Sequence, residues 1–120
     1  MKSIRYFMAS KIRRSEVQHL VQLITDGETD PVLGKFEGRL DTDEVEFFAR
    51  GIRFSGTQVL EYTDIFRVER SPEEHGERCL DIVRQGGEVA RLRCTNHGGM
   101  IIHATLRWVG HTKLGRYLAD

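Results

Sequence analysis

Four side chains in the second half of the sequence have the types and spacing to hold a metal. Three residues separate His75 from Cys79, two separate Cys94 from His97, and 14 lie between the cysteines. Two such pairs of thiolate and imidazole are the ligand set of tetrahedral structural zinc, and they are the starting point for a small metal protein or hydrolase. Whether the four can meet depends on the hairpin that carries them. Gly86 and Gly87 mark its turn. A three-residue loop, Gln85–Gly87, with Gly87 left-handed sets Leu80 against Leu92, Ile82 against Ala90, Asp81 against Arg91 and Val83 against Val89, with Arg84 beside Glu88. Cys94 then shares the core face with Leu92, and Cys79 points to the other face near Arg93. A two-residue Gly-Gly turn brings Cys79 opposite Cys94, but it turns Leu80 and Ile82 onto the face of Arg91 and Arg93. The first register is expected, and with it no metal, no cofactor, one buried thiol and one surface thiol.

Other constellations are incomplete. Asp41-Thr42-Asp43-Glu44-Val45-Glu46 opens like a calcium loop, but Val45 holds the fifth position and Glu46 stands where the turn glycine belongs. A solvated hairpin turn is expected instead. There is no phosphate-cradling glycine loop, no Gly-x-Ser-x-Gly elbow and no His-Glu-x-x-His. The five histidines are scattered, and His103 and His111 fall on the polar side of the last helix. Nothing assembles an acid, a base and a nucleophile, so a non-catalytic protein is expected.

Composition narrows the classes further. Lys plus Arg equals Asp plus Glu at 18 each, so no global field draws the chain to nucleic acid, and no nucleic-acid partner is expected. Apolar residues are 39% and charged residues 30%, as in a soluble globular domain. Two cysteines make no disulfide framework. The N-terminus lacks the roughly 7–15 uninterrupted apolar residues of a signal peptide, and no run approaches the roughly 18 of a membrane span. The cytoplasm is the expected location. Charge is uneven along the chain: Lys2, Arg5, Lys11, Arg13 and Arg14 have no acid among them. This arm, with Tyr6 and Phe7, can meet an anionic membrane surface or balance the acidic middle of the chain.

The elements that would position these groups follow from periodicity. Ser15 and Gln18 cap a helix with a Val17, Leu20, Val21, Ile24 stripe, and Gly27 stops it. From Leu33 the period becomes two, through Phe36, Gly38 and Leu40, then Val45, Phe47 and Ala49, then Ile52 and Phe54. Val59-Leu60 starts another strand, Glu61–Asp64 breaks it, and Ile65, Arg67 and Glu69 alternate with Phe66 and Val68. Gly98–Val109 forms an amphipathic helix whose apolar arc holds Ile101, Ile102, Thr105, Leu106, Trp108 and Val109, with Trp108 plugging a curved sheet. Leu114, Tyr117 and Leu118 make a later stripe, which either packs on the first helix or meets a partner.

Gly51-Ile52-Arg53-Phe54, followed by Val59-Leu60-Glu61-Tyr62-Thr63-Asp64-Ile65-Phe66-Arg67-Val68, resembles the bacterial pleckstrin-homology-like and GRAM-like pattern. The resemblance covers roughly Leu33 to Val109. It implies an α+β fold, an antiparallel β-barrel capped by a C-terminal helix, and an adaptor without chemistry of its own. Its lipid-binding members carry basic residues at the first hairpin turn; here that turn is Asp41-Thr42-Asp43-Glu44, so a phosphoinositide is not the expected ligand. The expectation is a single domain over 1–120, with an arm and helix at 1–32, a core at 33–109 and an extension at 110–120. It would bind a protein or peptide, or form a homo-oligomer, through Arg13, Arg14, Leu114, Tyr117 and Leu118.

Overall fold

The computed structural model describes residues 4–7, 14–27, 32–37, 42–54, 58–72 and 75–119. Strand β1 (Ile4–Phe7) runs parallel to β2 (Gly34–Glu37), and helix α1 (Arg14–Asp26) crosses between them. The helix places Val17, Leu20, Val21 and Ile24 in the core, as their spacing requires. It begins at Arg14, so Ser15 lies inside the helix rather than at its cap. Strands β3 (Val45–Phe47), β4 (Gly51–Phe54) and β5 (Leu60–Glu61) extend an antiparallel meander from β2, giving the order β1-β2-β3-β4-β5. A 3₁₀ turn at Tyr62–Asp64 then leads into a second, antiparallel sheet of β6 (Ile65–Arg70), β7 (Glu77–Arg84) and β8 (Val89–Thr95).

The expected closed barrel is not found. Strand β5 ends after two residues, and Tyr62 turns the chain, its buried hydroxyl donating to the Phe48 carbonyl at 2.8 Å. The sheets are also joined where the Asp43 N–H donates to the Arg93 carbonyl at 2.8 Å, and the Arg93 N–H to the Asp43 carboxylate at 2.7 Å. Between the sheets lie Phe36, Phe47, Ile52, Ile65, Leu80, Ile82 and Leu92. No helix among the described residues is long and apolar enough to cross a membrane.

The β7–β8 hairpin has the expected register, with Leu80 opposite Leu92, Asp81 opposite Arg91, Ile82 opposite Ala90 and Val83 opposite Val89. Gly87 takes φ of 89° in the turn, a conformation that costs L side chains strain. The Arg91 guanidinium donates to Asp81 at 2.8 Å, and Arg84 bridges to Asp64 at 2.6 Å and to Glu88 at 3.3 Å. Strand β6 departs from simple alternation. A bulge between Ile65 and Arg67 resets the phase, so that Ile65 and Val68 both point inward and Phe66 stands 51% exposed.

Helix α2 (Asn96–Val109) starts two residues before Gly98, because the Thr95 hydroxyl accepts the Gly98 N–H at 3.0 Å and caps it. Ile101, Ile102, Thr105, Leu106 and Val109 cover the sheets as expected. Trp108 does not plug them; it is 38% exposed. At 100° per residue it lies about 100° from the centre of the buried arc, on its rim. The chain continues through a π-helical turn (Gly110–Leu114) and folds back, so that Val68 pairs with Ala119 along the free edge of β6 and its N–H donates to the Leu118 carbonyl at 2.7 Å. Gly110 permits this return, since a Cβ there would sit 2.5 Å from Leu118 Cγ.

Candidate functional site

The end of α2 and the returning chain bring together an exposed group of aromatic and cationic side chains. His111 lies one turn beyond Arg107 and Trp108, four and three residues on, so its ring falls next to both side chains. Tyr117 arrives from beyond the π-turn. The His111 and Tyr117 rings stack with centroids 4.6 Å apart and planes 7° apart. Trp108 meets His111 and Tyr117 edge-on at 5.7 and 5.8 Å. The Arg107 guanidinium lies over both Tyr117, at 4.9 Å, and Trp108, at 5.7 Å. Tyr117 is 48% exposed, so aromatic surface and fixed positive charge are presented together.

What holds the cluster in place is the packing beneath it. Leu118 is 1% exposed in the core, and Leu114 is half-buried against it. The Arg116 guanidinium donates to the Phe66 carbonyl at 2.9 Å and to that of Ile65. Lys113 Nζ donates to the carbonyls of Ile24, at 3.0 Å, and Ala49, at 2.5 Å, which gives the last turn of α1 a cationic cap. Burial lowers the pKa of this ammonium.

The residues singled out by sequence are thus separated. Of the stripe Leu114, Tyr117 and Leu118, only Tyr117 offers substantial surface; Leu118 is committed to the core and to β6, which corrects its expected role as a contact residue. Arg13 lies outside the described residues, and Arg14 opens α1. Arg107, Trp108 and His111 were not expected at a site. The three- and four-residue spacing of His111 from Trp108 and Arg107 is a usable signal, hidden by the hydrophobicity that assigns Trp108 to the core.

The four potential zinc ligands are spread out. His75 is exposed in the β6–β7 connection with φ of 54°, and His97 is exposed in the first turn of α2. Cys79 pairs across the ladder with Arg93, and Cys94 with Arg78, which puts the two thiols on opposite faces. Both cysteines are free. Among the described residues no three His, Cys, Asp or Glu side chains converge on a metal position. Cys94 donates to the Arg78 carbonyl at 3.2 Å; burial, then the proximity of Cys79 and Asp43, pushes its thiol up to about 12. It therefore stays protonated near neutral pH and supplies no thiolate. In the calcium-like segment, the Asp43 carboxylate serves Arg93 and Glu44 pairs with Lys35 at 2.8 Å. Asp41 lies outside the described residues.

No family model, curated protein or solved structure matches the chain.

Proposed function

We propose that the chain is a pleckstrin-homology-like interaction module of the cytoplasm that binds a protein or peptide through Arg107, Trp108, His111 and Tyr117. The observation that carries this reading is the exposed aromatic–guanidinium cluster, because Trp, Tyr and Arg are the side chains that most often dominate binding energy at protein interfaces. The fold order supports the class. The strands from β2 to β5 and from β6 to β8 are antiparallel, and one helix follows them, as the resemblance implies; β1 and α1 are an addition in front. Pairing of Glu44 with Lys35 and of Asp43 with Arg93 at the first hairpin argues against a phosphoinositide there. The two free thiols suit a reducing compartment.

Affinity capture with the wild type and with a Trp108→Ala/Tyr117→Ala variant tests the reading. Both side chains are well exposed, so the variant should fold, and thermal unfolding checks that it does. A protein retained by the wild type should bind the variant roughly 30-fold more weakly when titrated in pure form, corresponding to a hot-spot loss of about 2 kcal/mol. Identical retained proteins and equal affinities would remove the cluster from the account.

A further inference from the structure

Granted an interface at Arg107, Trp108, His111 and Tyr117, as proposed above, the donors of these side chains specify what the partner carries. Among the described residues the Arg107 side chain makes no hydrogen bond and no ion pair. Its contacts are the rings of Trp108 and Tyr117, which hold the guanidinium in place and leave its N–H groups open to an acceptor. The Trp108 indole N–H and the Tyr117 hydroxyl have no partner among the described residues either. All of these groups belong to exposed side chains. The cations nearest in sequence are engaged elsewhere: Lys113 donates to the carbonyls of Ile24 and Ala49, and Arg116 to those of Ile65 and Phe66. Among the described residues the cluster thus presents a single unengaged guanidinium beside open ring surface.

We propose that the partner is an acidic linear peptide, which sets an Asp or Glu carboxylate on Arg107 and a neighbouring apolar side chain against Trp108 and Tyr117. A carboxylate matches a guanidinium in charge and in shape, since it accepts two parallel N–H bonds. The two ring contacts already restrict the Arg107 rotamers, so less side-chain entropy is lost on docking. The ring centroids lie 4.6 to 5.8 Å apart, a distance that two residues of an extended peptide span. A phosphoryl group carries more charge than a carboxylate, and a nucleic-acid strand repeats its charge at every nucleotide. Either calls for several cations, and Lys113 and Arg116 are not open to them.

An array of random dodecapeptides, probed with the fluorescently labelled full chain, tests the proposal. Retained peptides should be enriched in Asp or Glu next to an apolar residue. A retained peptide is then titrated in pure form against the emission of Trp108, the one Trp of the chain. Arg107→Gln, at an exposed position, should weaken binding by roughly tenfold or more, and so should exchange of the peptide's acid for its amide. The two changes together should cost little more than either alone, because they break the same contact. Retention that is lost in Trp108→Ala/Tyr117→Ala but shows no excess of acid, or fully additive losses, would overturn the carboxylate pairing and leave the cluster as an interface. Equal retention by that double variant would remove the interface as well. The proposal also falls if no peptide is retained, if Trp108 emission changes with protein concentration alone, as it would on pairing with a second copy, or if a uridine dodecanucleotide binds more tightly than every acidic peptide.

Discussion

Cys94 shows how one buried side chain sets a pH response. Its thiol ionises near 9 when exposed but is held up to about 12 in the folded chain, chiefly by burial. Between those values the unfolded state binds fewer protons than the folded one, so stability falls as pH rises. Tyr62 acts in the same direction, since burial raises its phenol well above the usual 10.0. Lys113, with a lowered pKa, acts in the opposite sense. Cys94→Ser keeps a donor for the Arg78 carbonyl and does not titrate in this range. Its melting temperature should therefore fall less steeply above pH 9 than that of the wild type, as thermal unfolding at stepped pH would show; equal slopes would mean that the thiol is solvated.

At the level of elements, legibility depended on whether each residue carried its own instruction. In the β7–β8 hairpin, Asp81 against Arg91 and Leu80 against Leu92 agree with a glycine-led turn, so local chemistry alone specified the register. The β6 bulge left no such mark. It exists because Ile65 and Val68 must both face inward, a demand made by the core and not by Ile65-Phe66-Arg67 itself. Trp108 departs from expectation for a related reason: its hydrophobicity suits the buried arc, but its helical angle puts it on the rim, where it meets Arg107, His111 and Tyr117. The return of the chain after Gly110 is a tertiary event with no periodic signal. Gly110→Ala tests it directly, because the added methyl meets Leu118 and the Arg116 carbonyl. Overpacking of this kind costs about 1–3 kcal/mol, which a urea denaturation midpoint would register.

For the molecule as a whole, the stretch 33–109 does not hold the entire core. Val17, Leu20, Val21 and Ile24 come from before it, and Leu118 and Ala119 from after it. The residues beyond Val109 also pair with the outer edge of β6 at Val68, and an open strand edge is a template for association. A chain ending at Val109 is expected to melt at a lower temperature and to form larger species than the full chain, as size-exclusion chromatography with light scattering would detect. A truncated protein of unchanged melting temperature and unchanged association state would show that the extension is dispensable.

One ammonium group joins segments that are remote along the backbone: Lys113 reaches carbonyls 89 and 64 positions upstream, at Ile24 and Ala49. Such a clasp needs the first helix and the meander side by side, which makes it sensitive to any loosening between them. Lys113→Met, which removes both bonds, is expected to unfold faster than the wild type while refolding at a similar rate, as stopped-flow denaturant jumps would show; slowed refolding would place the clasp in the folding transition state.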